Sequence, residues 1–408
     1  RLTPLSPATT EEATNEGSGI TICNTTDPSD RDVLSQNVDS APLMRVAEGN
    51  YSLWASNERW QCRWGQGTND NDSTVSGIYA HSSSPTKGDD DSDLNADYRV
   101  RVEVCKENFV PDDNANGCVA YGDSLKPTGL LQEFGEDGSI NFGLMTGSYS
   151  ANKSGGTLRK NVGSMEDEIN EDGTFVTPAD LDNYDGIINT LDRLRIYGYR
   201  FDNGTYFGTT GSDDCEWEEA SFSDGDCSNW GNPQSELYLE SLRYLAGQSA
   251  TDAFDVSDSG RIDGLNKASW AAPVNGDNYC APVNVIQFNA STSSYDGDQL
   301  TGFSDLGAGE STLDSFTNAV GAAENIHGNQ YFVGEVGGEG AGDNNQLCTA
   351  KTVSGLANVK GTCPDAPRLQ GSYQIAGLAY YARSEGLQIN GLSNDRRSQV
   401  KTYGVALA

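Results

Sequence analysis

Basic residues are scarce in this chain of 408 residues. It carries 26 Lys and Arg against 60 Asp and Glu, which gives a formal net charge of -34 at pH 7. Nucleic-acid binding depends on clustered Lys and Arg, and anionic membranes attract basic segments. The deficit argues against both classes of partner. Such acidity is typical of an extracellular protein or of one that binds calcium, and the alternative is that the charge serves only to keep the chain soluble.

Long apolar runs and the usual catalytic motifs are also missing. No stretch approaches the roughly 18 to 20 apolar residues of a membrane-spanning helix. His81 and His327 are the only histidines and no CxxC pair occurs, so a zinc site is not expected. There is no GxSxG elbow and no HExxH motif. Neighbouring carboxylates such as Glu216, Glu218 and Glu219 are expected by chance in so acidic a chain, and a secreted hydrolase is a remote alternative.

Cysteine, in contrast, is well represented, with 9 residues. Three pairs enclose short polar loops, which favours disulfides in an oxidising compartment over a metal site. We expect Cys105 to pair with Cys118, Cys215 with Cys227, Cys348 with Cys363, and Cys23 with Cys62. Cys280 is left over and is expected to be buried or paired with a segment outside this chain.

The most informative stretch is residues 282–300, PVNVIQFNASTSSYDGDQL. Its near-continuous apolar first half predicts a strand buried on both faces of a mainly parallel sheet. Sites in such sheets lie just beyond the carboxyl ends of the strands. Ser294, Asp296 and Asp298 fall there, and their oxygen atoms are candidate ligands for calcium or magnesium.

Periodicity predicts the remaining elements. Strands are expected at 98–105, 140–149, 194–199, 331–336 and 402–407, and helices at 130–134, 187–194, 232–247, 313–323 and 375–382. Asn232 is the expected cap of the helix at 232–247, with Pro233 in its first turn. Strand and helix alternate in the last third, which is typical of a doubly wound α/β fold.

The domain organisation follows from composition. Residues 1–97 are predicted to form a polar and aromatic extension that packs on a main domain at 98–408. Insertions are predicted at about 150–182, 200–231 and 248–279. Trp217 and Trp230 lie near the loop closed by Cys215 and Cys227, where they either contact a ligand or anchor the insertion.

Six segments in order resemble one family, the type IV pilus tip-associated adhesins of the PilY/PilC type. They are LKPTGLLQEFGEDGSINFGLMTGSY, KSGGTLRKNVGSMEDEIN, GIINTLDRLRIYGY, CSNWGNPQSELYLESLRYLAG, SSYDGDQLTG and RLQGSYQIAGLAYYA. The resemblance covers roughly residues 98–408. It implies a doubly wound, mainly parallel sheet of von Willebrand factor A type with large, disulfide-closed insertions.

The resemblance also implies a location and partners. Family members are secreted, lie at the pilus tip or outer surface of a bacterium, and continue into a C-terminal β-propeller that docks on the pilus. Nothing in this chain resembles a propeller, so contact with the minor pilins of the tip is expected to lie outside it.

A von Willebrand A domain holds its cation with a DxSxS loop, a Thr at a helix start and an Asp after the central strand. By the resemblance, Asn232 and Asn289 stand near the last two positions, so a displaced site using Asp296 and Asp298 is expected. The DxSxS string at 255–259 lies in a predicted long loop and is expected to be a chance match.

The predicted function is that of a non-enzymatic adhesin that attaches to a surface, a host receptor or a glycan. The alternative is a structural or assembly element that promotes pilus biogenesis. The sequence does not separate the two, because both need the same disulfides and the same stable sheet.

Overall fold

The computed structural model describes most of the chain beyond residue 117 and four short segments before it. The described residues are 20–24, 43–48, 97–99, 105, 118–122, 124–170, 175–176, 186–194, 199–200, 205–206, 222–228, 230–262, 264–337, 345–393 and 396–407. The chain divides into two units, Arg1–Pro127 with Gly198–Phe207, and Thr128–Tyr197 with Gly208–Ala408. The predicted packing of residues 1–97 on the main domain stays a prediction.

The elements are named in chain order. The strands are β1 (Ile20–Asn24), β2 (Leu43–Glu48), β3 (Asp97–Arg99), β4 (Cys118–Tyr121), β5 (Ser124–Pro127), β6 (Phe142–Thr146), β7 (Thr157–Gly163), β8 (Tyr199–Arg200), β9 (Thr205–Tyr206), β10 (Val283–Asn289), β11 (Gln330–Glu335), β12 (Thr349–Thr352), β13 (Lys360–Thr362), β14 (Leu387–Gln388), β15 (Arg397–Ser398) and β16 (Val400–Ala406). The α-helices are α1 (Leu130–Gly135), α2 (Ile187–Arg193), α3 (Gln234–Leu245), α4 (Leu313–Ala323) and α5 (Gln374–Ser384). Short 3-10 helices cover Thr301–Leu306 and Leu356–Asn358.

The described residues of the first unit form three small antiparallel sheets. Strands β1, β2 and β3 pair in that order, β4 pairs with β5, and β8 pairs with β9. The hairpin between β4 and β5 turns at Gly122, whose φ of 58° suits glycine. Of the strand predicted at 98–105, β3 covers the first residues, and residues 100–104 lie outside the described part.

Among the described strands, one pair is parallel. Strand β10 lies beside β16, with Val283 opposite Val400 and Asn289 opposite Ala406. Strand β11 pairs antiparallel with β12 and β13, and β14 pairs antiparallel with β15. The mixed α/β class is therefore confirmed, but the predicted doubly wound, mainly parallel sheet is not found in the described residues. The alternation of strand and helix along the sequence led to the wrong prediction of a parallel sheet. The short strands β12 and β13, which pair with β11, have no periodic pattern of apolar residues that would have revealed them.

The burial of β10 also differs from the prediction. The strand exists where the apolar run predicted it, but Ile286 is 70% exposed and Phe288 58% exposed. Val283 and Val285 pack against the core on the opposite face. The prediction that β10 is buried on both faces is therefore wrong. An apolar run indicates a strand but does not show whether other elements cover both of its faces.

The core of the second unit forms around α3. Leu242 of this helix packs with Leu378 of α5 and Val400 of β16, and all three side chains are 0% exposed. Burying one such side chain contributes about 1.5–3 kcal/mol. Strand β7, which lies inside the insertion predicted at 150–182, adds Leu158 to the same core.

Helix α3 does not begin as predicted. Pro233 occupies the N-cap position and no side chain caps the helix there. The side chain of Asn232 bonds to the loop after β10 instead, so the predicted capping role is wrong. The other end agrees with the prediction, since Gly247 follows the last turn with a φ of 72°.

Two predicted disulfides are confirmed, Cys105 with Cys118 and Cys348 with Cys363. Cys227 is also disulfide-bonded, whereas its predicted partner Cys215 lies outside the described residues. Cys62 lies outside them as well, so its predicted pairing with Cys23 of β1 stays a prediction. Cys280 is a free, exposed thiol, so the expectation that it is buried is wrong.

Within the part of the chain that the structure describes, none of the helices combines the length and apolar character needed to cross a membrane.

Candidate functional site

The candidate site is the loop at residues 290–300, which we call the β10 loop, together with the first turns of α3 and α5. A helix N-terminus carries unpaired N–H groups and a partial positive charge. The loop lies tightly against the residues before α5, because a Cβ on Gly371 would come within 2.0 Å of the Ser293 carbonyl oxygen. Tyr295 N also donates to Leu369 O at 2.8 Å. The chain therefore brings two helix N-termini to the carboxyl end of one strand.

Asn232 is the centre of the hydrogen bonds on one side of this site. Its Nδ2 donates to Asn289 Oδ1 at 2.9 Å and to Ser291 Oγ at 3.1 Å, and its Oδ1 accepts from Gln234 Nε2 at 2.6 Å. Its backbone N donates to Ser294 Oγ at 2.9 Å. Asn232 and Asn289, which the resemblance assigned to metal positions, are thus brought together as two amides that bond to each other.

Asp296 joins the two helices. Its Oδ2 accepts from Ser235 Oγ at 2.7 Å, and its Oδ1 accepts from Ser372 N at 2.5 Å. Ser235 lies in the first turn of α3 and Ser372 just before α5. Burial raises the pKa of the Asp296 carboxyl, while the hydrogen bonds from these serines oppose the rise. The side chain is 0% exposed, so it bridges two helix N-termini inside the fold.

Asp298 lies beside a different carboxyl group. Glu236, in the first turn of α3, is 0% exposed, and its oxygens accept from Gly155 N at 2.9 Å and Gln299 N at 3.1 Å. Burial raises the pKa of Glu236 to about 8, and the charge of Asp298 adds to the rise. The side chain of Glu236 is also hydrogen-bonded to that of the exposed Asp298. Sequence reasoning missed it, because a Glu in a first helical turn is ordinary.

The elements of this site lie in a region that is similar to known proteins. The profile of the second domain of PilY1 homologs matches residues 142–382, which include α3, β10 and the β10 loop. The chain belongs to the PilY1 homolog family. Over 340 residues it is 31% identical to the type IV pilus biogenesis factor PilY1 homolog of Xylella fastidiosa. No solved structure gives a significant match.

The alignment with the Xylella PilY1 homolog covers 77% of this chain and 22% of that protein. The chain thus spans about a fifth of the length of this curated relative. The family assignment rests on this shared region.

A second pair of charged residues in this PilY1-family chain was not singled out from the sequence. Arg159 Nη2 donates to Asp258 Oδ2 at 2.5 Å, and both side chains are 0% exposed. Asp258 Oδ1 also accepts from Ser148 Oγ at 2.8 Å. Asp258 lies within the DxSxS string, whose first residue Asp255 pairs instead with Lys267 at 2.6 Å. No sequence signal distinguishes Asp258, because its partner is 99 residues away.

Of the two tryptophans that were predicted to contact a ligand, the structure describes Trp230. Trp230 is half-buried, and its carbonyl oxygen accepts from Asn152 Nδ2 at 2.7 Å. Asn152 Nδ2 also donates to Cys227 O at 3.1 Å, so Asn152 holds this segment to the scaffold. Trp217 lies outside the described residues, and the role of both tryptophans stays a prediction.

The three predicted cation ligands take different partners. Ser294 bonds to Asn232, Asp296 to the two helix N-termini, and Asp298 lies beside Glu236. A calcium ion takes about six to eight oxygen ligands. Within the described residues, no group of three or more His, Cys, Asp and Glu side chains is placed to hold a metal ion. Calcium or magnesium binding stays a prediction.

Proposed function

We propose that this region is a non-enzymatic, adhesive part of a type IV pilus biogenesis factor, located at the pilus tip or outer surface of a bacterium. The observation that carries the proposal is the match of residues 142–382 to the second domain of PilY1 homologs. The Xylella relative is described as a type IV pilus biogenesis factor, which links the family to pili. Two disulfides in the described residues support an oxidising, extracellular location.

The geometry of the β10 loop supports binding over catalysis. The buried carboxyl groups of the site, Asp296 of the loop and Glu236 of α3, are hydrogen-bonded to backbone and side-chain groups of the same fold. These bonds stabilise a rigid scaffold, and binding is then carried by surfaces that the scaffold displays. The proposed targets are an abiotic surface, a host receptor or a glycan. We expect contact with minor pilins to be made by other regions of PilY1-family proteins.

A relation to von Willebrand factor A domains is part of the same proposal. The parallel pair of β10 and β16, with α3 and α5 packed in one core, supports an α/β arrangement of that kind. A solved structure tests it by the number and order of parallel strands beside β10. Antiparallel neighbours on the free edge of β10 would overturn the relation.

Deletion of residues 142–382 from the full-length bacterial protein tests the adhesive function. Pili are counted by electron microscopy, and attachment to abiotic and host-cell surfaces is measured per piliated cell. The proposal expects pili to persist while attachment falls. Normal attachment by piliated cells would overturn it.

An assembly role is the second candidate, and it is favoured by the description of the Xylella relative as a biogenesis factor. The same deletion separates the two functions, because an assembly element is required for the pili themselves. Loss of pili, with normal attachment through the few that remain, would establish assembly in place of adhesion.

Binding of calcium or magnesium near Asp298 is compatible with the adhesive proposal. A secreted hydrolase activity is the remote alternative to it. The non-enzymatic proposal expects retention of glycans by the purified chain without release of shortened products. Time-dependent product release, measured by mass spectrometry, would favour the hydrolase.

A further inference from the structure

A separate cavity opens between α4 and the C-terminal end of α5, away from the first turn of α5 that belongs to the candidate site. Its volume is about 440 Å³, within the range of roughly 300–1,000 Å³ that is usual for small-molecule sites. Phe316 of α4 and Tyr380 and Tyr381 of α5 form one wall. Arg397 of β15 and Glu385, just after α5, supply the charged groups of the lining. The cavity thus combines aromatic faces with charged groups of both signs.

The aromatic wall is rigid. The Phe316 ring lies 5.1 Å from that of Tyr381 and 6.1 Å from that of Tyr380, both edge to face. Phe303 packs on Tyr381 at 4.9 Å from behind, and the Tyr381 hydroxyl donates to Leu306 O at 2.8 Å. Tyr381 is 1% exposed, whereas Tyr380 is 46% exposed. A fixed cluster therefore presents one aromatic ring to solvent.

The two charges are held without an ion pair. Arg397 Nη1 donates to Gly386 O at 2.8 Å and to the Tyr381 hydroxyl at 3.2 Å, and its Nη2 donates to Gly307 O at 2.5 Å. These acceptors are neutral, so they fix the guanidinium without cancelling its charge. Within the described part of the chain, neither Arg397 nor Glu385 forms a salt bridge. Glu385 is exposed and is free to accept hydrogen bonds from a ligand.

The geometry points to a site for a neutral pyranose unit of a glycan. A cation would meet Arg397, and an anion would meet Glu385 and the net charge of -34. A purely apolar ligand would remove both charged groups from water without replacing their hydrogen bonds. A pyranose ring has an apolar C–H face that stacks on Tyr380, while its hydroxyl groups donate to Glu385 and bond to the exposed Ser311 hydroxyl of the lining. This inference rests on the proposed adhesive function, for which it names a ligand class.

Saturation-transfer NMR of the full 408-residue chain tests the site, with the methyl glycosides of glucose, galactose and mannose as probes. At least one probe is expected to receive saturation at its ring protons. Tyr380→Ala and Glu385→Gln are each expected to weaken that binding roughly tenfold, as for an aromatic anchor and a charged hydrogen-bond acceptor. Tyr403→Ala is the matched control, since Tyr403 is 51% exposed on β16 and does not line the cavity.

Thermal melts of all variants confirm folding, and both cavity residues are exposed, so their substitution leaves the core intact. The site is overturned if no probe binds, or if both cavity variants bind like the Tyr403→Ala control. Tyr380→Ala in the full-length bacterial protein separates this result from the adhesive function. If attachment needs residues 142–382 but survives Tyr380→Ala, the sugar site is overturned and adhesion stands. If the deletion leaves attachment normal while the sugar still binds, adhesion is overturned and the site stands.

Discussion

A single carboxylate, Asp296, accepts hydrogen bonds from the starts of two helices. Substituting it with Ala leaves the backbone N–H groups of Ser235 and Ser372 without an acceptor in a buried position. The Ser235 hydroxyl keeps only its longer contact of 3.3 Å with the Ser372 hydroxyl. Each unsatisfied buried donor costs about 1–3 kcal/mol. We expect Asp296→Ala to lower the free energy of unfolding by about 2–4 kcal/mol, measured by urea denaturation.

The control for this substitution is Asp277→Ala. Asp277 is an exposed aspartate in the loop before β10, and its removal is expected to change stability by about 0.5 kcal/mol or less. Equal denaturation midpoints for the two variants would show that Asp296 does not join the helices in solution.

Glu236 predicts a pH dependence of stability. Burial raises its pKa in the folded chain to about 8, from an ordinary value of 4.5. Between these values the folded state holds a proton that the unfolded state has released. The stabilisation is therefore complete below about pH 4.5 and is lost as the pH rises through 8, with a slope of at most ~1.4 kcal/mol per pH unit.

Urea denaturation of wild type and Glu236→Gln at pH 5, 6, 7 and 8 measures this effect. The glutamine variant, which cannot ionise, is expected to lose less stability across the series than wild type. Glu324→Gln, at an exposed glutamate just after α4, is the control and should keep the wild-type slope. Parallel curves for wild type and Glu236→Gln would contradict the assignment.

The sequence predicted which polar residues lie at the candidate site, but not which groups they bond to. The apolar run followed by polar residues correctly placed the loop after β10, and the resemblance drew attention to Asn232 and Asn289. Glu236 was missed because its burial depends on Gly155 and Gln299, which are distant in sequence. Spacing along the chain cannot show which buried group a carboxyl meets.

At the scale of elements, α4 and α5 approach each other closely at Gly377. A Cβ there would lie 2.1 Å from Thr317 Oγ1 and 2.6 Å from the Thr317 backbone N. Gly377→Ala improves helix propensity by about 1 kcal/mol, but the contact with backbone cannot relax without separating the helices. Overpacking of this kind costs about 1–3 kcal/mol.

We therefore expect Gly377→Ala to destabilise the chain by about 1–2 kcal/mol, because overpacking outweighs the gain in helix propensity. Gly404→Ala in β16 is the matched control, since nothing lies within 4 Å of its added Cβ. Thermal denaturation of the two variants provides the measurement. A Gly377→Ala variant with a Tm at or above that of wild type would show that the helices do not pack this closely.

The helices were easier to predict than the sheets. Helix α4 follows directly from the spacing of Leu313, Phe316 and Val320, because a helical face is defined within one segment. A sheet depends on partners elsewhere in the chain. Strand β10 was found from its own sequence, but its pairing with β16, more than 100 residues later, came from tertiary structure. The parallel sheet expected around it was inferred from the apolar run, the alternation of strand and helix and the family resemblance, and none of these identifies the partner strands.

At the scale of the whole molecule, the net charge of -34 affects any test of cation binding. Repulsion among 60 acidic residues weakens the compact state, and every added salt screens it. A rise in Tm with calcium therefore has two sources, binding at a site near Asp298 and general screening. Binding at a site requires one particular carboxylate, whereas screening does not.

A calcium site at the β10 loop predicts that EDTA lowers the Tm and that excess calcium raises it. At 100 times the dissociation constant the stabilisation is about 2.7 kcal/mol. Asp298→Asn is expected to abolish most of the calcium-dependent shift, while Asp277→Asn, which removes the same charge from an exposed loop, retains it. Screening by the chain's total charge would reduce both variants' shifts equally. Equal shifts in the two variants would therefore assign the effect to net charge and contradict the cation site, because a specific site depends on its own ligands, whereas screening depends only on the total charge.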